Sequence, residues 1–334
     1  MRACARSDEG ENFTTNEPIP GLAYENELYK RFIPQISLQE MNALARTLVP
    51  DGNRVVVVSA PAKAGATLPT EARLSAVMAA AAAKNLTAYE DTVSAQPLMA
   101  AVPKPGRVVS SATRDPYGIT EWKLSNGATV VLKPTTFKQD EILFRAFRQG
   151  GTSLASDADF WAAQTAAQVV AAGGLGRLSA IDLRKVLNGK AAGVAPSISD
   201  TFEELNGSAS PKDAETLFQL IYLRFTEPRA DPAVFSVMVD QTRTSLANQG
   251  NSPEFAFGEA LGSAMWQNHL RAKPMTVESL NQMNLDKSLA FYKQRFADAT
   301  GFTFVFVGNF DPATLKPLVE SYVAALPGSD RRES

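Results

Sequence analysis

Histidine occurs once in the 334 residues, at His269, and cysteine once, at Cys4. One cysteine excludes an intrachain disulfide and any cysteine-rich metal knuckle. One histidine leaves a hydrolytic triad a single candidate, and there is no G-x-S-x-G elbow to present a serine to it. Long apolar runs are missing too: none approaches the roughly 20 residues that cross a bilayer. The start, MRACARSDEGENF, has charges where a secretory signal would have its apolar stretch, so no export signal is expected in these residues. Lysine and arginine form no block or stripe, and the net charge is −2, which argues against nucleic acid as a partner.

What is present is enough apolar material, 45% of the residues, to bury a substantial core, and the length fits about two globular units. Residues 1–37 lack clear periodicity and read as an extended arm. Leu38, Met41, Leu44, Ala45 and Leu48 then recur at helical spacing, with Ser37 as N-cap and Glu40 three positions on, a capping box that predicts a helix over 38–49. Asp51-Gly52-Asn53 breaks it. The β-branched run RVVVVSAP that follows, ended by Pro61, reads as a buried strand. An alanine-rich helix is expected from Thr70 to about Lys84. After Asp91, four prolines and little periodicity mark a linker, with the boundary placed at 105–116.

Beyond it, ITEWKLSNGATVVLKP sets two strand-like runs about Asn126-Gly127, the dipeptide of a tight hairpin. Glu141–Arg148 gives a third strand ended by Gly150-Gly151. Helices are expected at 157–172 and 179–188, then a hairpin about Asp200, then helices at 212–226, 231–249, 253–267 and 285–296. The strand FTFVFVG and a helix from Asp311 to about Ala325 close the unit. Strands in two blocks with helices segregated between them predict an α+β sandwich, an antiparallel sheet packed against a helical layer.

An internal echo bears on the first third. SLQEMNALARTLVPDGNRVVVV and NLDKSLAFYKQRFADATGFTFVFV share a helix start, a late basic residue, an Asp and an apolar strand, and Leu38 aligns with Leu285, 285 − 38 = 247 positions later. That period fits a duplicated domain better than a short repeat; chance likeness of two helix–strand pairs is the alternative. On the first reading, the chain begins with the closing part of an earlier copy. The expected division is an extended arm over 1–37, the carboxy-terminal part of a preceding homologous domain over 38–104, a linker over 105–116, a complete domain over 117–327 and a tail over 328–334.

ITEWKLSNGATVVLKPTTFKQDEILFRAFRQGGTSL resembles the opening hairpin and third strand of the insulinase/pitrilysin (inverzincin) zinc metallopeptidases. GSASPKDAETLFQLIYLRFTEPRAD and RFADATGFTFVFVGNFDPATLKPLVESYVAALP resemble the same family, specifically its large multidomain bacterial members. The resemblance runs over about 17–327. It implies that Leu38–Ala88 close a second homologous domain and that Gly118–Pro327 form a third.

In the family's catalytic domain an H-x-x-E-H motif lies on the first helix after the Gly-ending strand, because histidines four apart reach one Zn²⁺ from one helical face while the glutamate reaches its water. Here that helix reads DADFWAAQTAAQVVAAGG, with no His or Glu, and no Glu occurs between Glu141 and Glu203. Catalytic, cofactor-binding and metal residues are therefore expected to be none, and the substrate-binding residues are not legible. His269, in WQNHLRAKP, reads as a capping or surface residue. Glu203-Glu204 reads as a solvated pair, since strand neighbours point to opposite faces. GGLGRLS at 173–179 reads as a helix-to-helix turn rather than a nucleotide loop, and the apolar stripe from Leu217 to Phe225 as core. The sequons at Asn12, Asn85 and Asn206 carry no assigned role.

The resemblance implies a noncatalytic region of a zinc metalloendopeptidase, part of the wall of a chamber that encloses extended peptides. Zinc would belong to the complete protein, with an H-x-x-E-H domain or subunit as partner and a periplasmic or exported location. The chain alone is expected to be inactive. The alternative is a free-standing noncatalytic partner of a separate peptidase.

Overall fold

A computed structural model describes residues 10, 12–48, 52–60, 65, 67–87, 89–93, 95–249 and 252–329. Cys4 and the end of the tail, 330–334, lie outside them. The chain divides into two units, one ending at Thr87 and one beginning at Ala88.

In the first unit local signals decide the helices. Residues 12–15 are helical, and α1 (Leu22–Phe32) carries Glu25 in its first turn and Lys30 and Arg31 in its last, matching the helix dipole. The expected extended arm over 1–37 is thus helical in part, because charges at the two ends and i,i+4 neighbours such as Tyr24 and Leu28 support a helix that composition did not reveal. The capping box forms as expected: the Ser37 N–H donates to Glu40 Oε2 at 2.8 Å and the Glu40 N–H to Ser37 Oγ at 3.2 Å, opening α2 (Leu38–Thr47). Thr70 caps α3 (Glu71–Ala82). No described residue of this unit is buried. The run at 54–60, expected as a buried strand, forms no strand, and Val55–Val58 are exposed. A strand exists only through its neighbours, and the described residues up to Thr87 form no strand to pair with it.

The second unit is a seven-stranded sheet in the order β1-β2-β3-β7-β4-β6-β5. Its strands are β1 (Val108–Arg114), β2 (Ile119–Leu124), β3 (Thr129–Pro134), β4 (Ile142–Gln149), β5 (Ala192–Ile198), β6 (Phe202–Ala209) and β7 (Thr303–Gly308). All neighbours are antiparallel except β3 and β7, so the expected antiparallel sheet is mixed. The reason is topological. β7 returns after a long helical excursion and enters between β3 and β4, and only such a crossover can lay a strand parallel to an earlier one.

Between β4 and β7 the chain forms α4 (Phe160–Gly173) and α5 (Ala180–Val186), then the β5–β6 hairpin, then α6 (Ala214–Thr226), α7 (Pro232–Gln249), α8 (Pro253–Met265), α9 (Val277–Leu280) and α10 (Leu285–Arg295). After β7, α11 (Pro312–Leu318) passes into a π turn over 319–323, so the single helix expected to about Ala325 changes pitch beyond Pro317, which has no N–H for the α-helical ladder.

The linker expected at 105–116 is instead mostly β1. Its backbone is tied down before the strand begins: the Gly106 N–H donates to Glu320 O at 2.9 Å, the Val108 N–H to Glu320 Oε1 at 3.1 Å, and the Ser125 N–H to Arg107 O at 2.9 Å. Val93, Leu98 and Met99 already pack on the second unit's core. Proline density misled because it marks irregular backbone, which can be held as firmly as a strand.

The Asn126-Gly127 turn is where expected. Gly127 takes φ 83°, a region that favours glycine. The Asn126 amide donates to Val323 O at 2.8 Å and Leu326 O at 3.1 Å, fastening the β2–β3 hairpin to the end of the chain. Inward residues of the central strands, Val130, Leu132, Phe144, Phe304 and Phe306, are buried beneath α6 and α10, with Phe218 stacked on Phe306 at 5.0 Å and Tyr292 on Phe296 at 4.4 Å. Burial of each such side chain contributes about 1.5–3 kcal/mol.

Candidate functional site

Gly150 and Gly151 end β4 and turn the chain toward α4, the helix on which a metal site would be built. Gly151 has φ 66°, and its missing side chain leaves room for the backbone of Ser199 and Asp200. The Thr152 N–H donates to Ser199 O at 2.9 Å and the Gly150 N–H to Thr201 O at 2.7 Å. The Gly151 N–H donates to Glu203 Oε2 at 2.7 Å.

Glu203 is the correction this region makes to the sequence reading. Neighbours on β6 do point to opposite faces, but Glu203 takes the inner one, at 0% exposure. Its Oε1 accepts from Arg148 Nε at 2.8 Å and Arg295 Nη2 at 2.7 Å. Arg148 also donates to the carbonyls of Thr300 and Arg295, lies 3.7 Å from Asp298 Oδ1, and covers the Phe302 ring at 4.6 Å. Two cations and two carboxylates thus balance below the turn, and both Glu203 oxygens are engaged. Such a cluster locks β4, β6 and the end of α10 together and has no free base to offer. Glu204 takes the outer face and pairs with Arg145. Strand parity carried the missed signal: Arg148 shares its face of β4 with Phe144 and Ala146, as Glu203 does with Leu205 on β6.

The start of α4 is clasped from outside. Arg271 donates to Thr152 O at 2.8 Å, Ala155 O at 2.6 Å and Asp157 Oδ1 at 3.0 Å, with its guanidinium over Phe160. His269 caps the short turn that carries Arg271, its Nδ1 accepting from the Arg271 N–H at 3.3 Å. Lys287 donates to Asp159 Oδ1 at 2.6 Å, and this bond, with one from Ser156, holds the Asp159 carboxyl below its ordinary range.

Along α4 every position from Phe160 to Val170 is buried except Gln164 and Gln168, which turn outward, and Gly173 is buried at its end. Ser288 on α10 donates to Ala162 O at 2.9 Å. No side chain of this helix is a zinc donor, and methyl groups packed on α10 fill the face a metal would need. The residues present do not fit zinc. Among the described residues no group of three His, Cys, Asp or Glu could hold a metal ion. Residues 173–179 form the turn from α4 to α5, with Ser179 capping α5. Leu217, Phe218, Leu220, Ile221, Leu223 and Phe225 on α6 are core, and Asn206 lies exposed on β6.

Two sheet edges remain. β5 carries Pro196, which removes one donor from that edge, and Arg224 Nε donates to Val194 O at 3.3 Å. β1 contains no proline and is exposed along nearly its whole length. The outer face of the sheet sets Val131, Leu143, Phe147, Val305 and Val307, partly or fully exposed, among the charged groups Glu121, Lys123, Arg145 and Glu204. An unblocked edge beside a partly apolar face can add a strand of extended peptide, with backbone pairing supplying affinity and little sequence preference.

A mixed sheet under a helical layer, with a helix free of zinc ligands after the glycine turn, is an α+β arrangement of the kind the insulinase/pitrilysin resemblance implies. Among known proteins, the chain is similar to zinc proteases. It is 24% identical over 325 residues to a PQQL-like zinc protease of Arabidopsis thaliana, covering 96% of this chain and 31% of the relative. The periplasmic protease PqqL of Escherichia coli matches in structure with a TM-score of 0.65 at 22% identity, over 98% of this chain and 36% of that one. A peptidase M16 inactive domain from Pseudomonas fluorescens matches with a TM-score of 0.52 at 15% identity, over 65% of this chain and 53% of that one. No protein-family model matches. The chain spans about a third or less of the length of the three zinc proteases it matches in sequence. No helix among the described residues is long and apolar enough to cross a membrane.

Proposed function

We propose that this chain is a noncatalytic wall of a zinc metalloendopeptidase, holding extended peptides for an H-x-x-E-H domain that carries the metal. The observation that carries the reading is the helix Phe160–Gly173, complete, buried and clasped at its start, yet furnished with alanine and glutamine where ligands would stand. A domain kept whole around a ligand-free helix serves by shape. Kinship with zinc proteases supports the assignment of zinc and of proteolysis to the complete protein. The edge of β1 beside the outer sheet face is the surface proposed to receive peptide.

A single wall should bind poorly, because fixing each peptide residue costs about 1–2 kcal/mol and one edge offsets little of it. Titrating a labelled unstructured peptide against the chain alone, and against the chain joined to a catalytic half from a relative, tests the reading. Capture only in the joined protein, weakened by Ser111→Pro or Ala112→Pro in β1, supports it. Tight capture by the chain alone favours a free-standing binding subunit. No capture in either form overturns the wall.

A further inference from the structure

Residues 104–134, which lead into β1 and run to the end of β3, hold five Lys or Arg and two acids, in a chain whose net charge is −2. The cations are Lys104, Arg107, Arg114, Lys123 and Lys133, and the acids are Asp115 and Glu121. Lys104, Arg107, Arg114 and Lys123 are exposed. One further acid packs against this edge, Glu320, whose Oε1 accepts from the Val108 N–H at 3.1 Å. Glu121 faces two cations, Arg114 at 2.8 Å and Lys123 at 3.1 Å. Lys123 also donates to Thr129 Oγ1 at 2.8 Å, and Lys133 donates to the Tyr117 carbonyl. The first three strands thus carry a surplus of positive charge, and two cations share one carboxylate beside the open edge.

Strand register sets how a peptide would meet them. Trp122 and Leu124 are buried, so Glu121 and Lys123 point to the outer face of the sheet. In β1, Ser110 lies opposite Lys123, Ala112 opposite Glu121 and Arg114 opposite Ile119, which puts all three on that outer face. Ser111 and Thr113, on the other face, bring no charge. A strand added beyond β1 would lie about 10 Å from β2, twice the usual strand spacing. Ser110 and Ala112 are small and leave that span open to long side chains from either side. A peptide residue beside Ser110 reaches toward Lys123, and one beside Arg114 meets its guanidinium. The residue midway, beside Ala112, meets Glu121.

We infer that β1 selects acidic peptide: an extended segment with carboxylates four residues apart and no acid midway between them. The inference rests on the reading of β1 as the edge that receives peptide, and it adds a charge preference to that reading. Backbone pairing alone accepts any sequence, whereas cross-strand pairs of opposite charge favour one and like charges oppose it. A second copy of the chain is a poorer occupant, because it brings the same cations to the edge, as charged edge strands that resist self-association do. The selecting cations stand in water, so the preference is modest and screened by salt.

The test uses the full chain, alone and joined to a catalytic half from a relative, with three labelled peptides of one length and apolar content. The first carries Glu at positions four apart with Thr midway, the second carries Lys at those two positions, and the third carries Glu midway only. The first should bind roughly 10-fold more tightly than the second. That gap should shrink to about half or less between about 0.05 and 0.5 M salt. The order should be the same in both forms of the protein, since β1 is present in each. Arg114→Gln combined with Lys123→Gln should erase the gap, and Glu121→Gln should improve capture of the third peptide. If the double variant fails to fold, Lys104→Gln with Arg107→Gln, both ahead of the strand, should narrow the gap by about 2-fold. Equal capture of the first two peptides, weakened by Ala112→Pro, keeps the wall and overturns the charge selection. An advantage of the first peptide that survives these variants overturns it as well. Capture of none of the three removes the wall and the inference together.

Discussion

Arg148 on β4 and Glu203 on β6 are direct cross-strand partners, and their side chains meet at 2.8 Å with 7% and 0% exposure. On the opposite face of the same two strands, Arg145 and Glu204 form the other pair, with Arg145 more than half exposed. The two pairs have the same chemistry, and burial separates their worth.

Glu203→Gln keeps the shape of the side chain but leaves Arg148 and Arg295 short of one negative charge in the core. A loss of about 3–5 kcal/mol is expected, against about 1 kcal/mol or less for Glu204→Gln. Urea midpoints of the two variants measure the contrast, and equal losses would refute the assignment of Glu203 to the buried side.

Asp213 sets a pH dependence. Burial pushes its carboxyl up, but the Ser210 hydroxyl, the Ala191 N–H and nearby Lys212 and Lys190 outweigh it, so its pKa is lowered overall. A lowered folded pKa gives stability that is present above the ordinary aspartate range and lost as pH falls through the folded value. The stability gap between wild type and Asp213→Asn should therefore narrow as pH falls below about 4. A gap that is constant from neutral pH into that range, followed by thermal melts, would contradict this.

The purified chain is expected to hold no stoichiometric zinc after dialysis and to show no chelator-sensitive cleavage of an unstructured peptide, since α4 presents no donor. Metal analysis and a fluorogenic cleavage assay read it. Turnover that follows the chain through purification and dies with chelator would be decisive against it.

Limited trypsin digestion should cut first in the first unit, none of whose described residues is buried, and at Lys84, leaving a fragment that begins at Asn85. Arg107 should resist, because its carbonyl accepts from Ser125 and its neighbours are bound to Glu320. A stable fragment that begins instead at Val108, identified by mass, would restore the boundary at 105–116.

Complete replacement of one core ring gives a reference for these losses. Phe306→Ala removes the partner stacked on Phe218 in the centre of the sheet and should cost about 3–5 kcal/mol. Val57→Ala, in the exposed run, should cost far less by the same melt.

Much of the fold was legible because its signals are local. The Ser37–Glu40 box, the Asn126-Gly127 turn and the alternation in ILFRAFRQ each act within a few residues, and each element formed where its pattern placed it. The charged cluster was not legible in the same way. Parity put Arg148 and Glu203 on inward faces, but only the return of α10 brought Arg295 to Glu203, 92 residues along the chain.

The sequence by itself determined that α4 cannot hold the family's zinc, because a donor atom must be present in a side chain and no packing can create one. It also determined most of the helices, though not α1 or the short α9, since caps and period act at short range. Only the tertiary structure decided that β7 enters between β3 and β4, that residues 108–114 join the sheet, that Glu203 is buried, and that Val55–Val58 form no strand. Strand pairing and burial are relations between distant segments, and a strand has no identity until another backbone lies beside it.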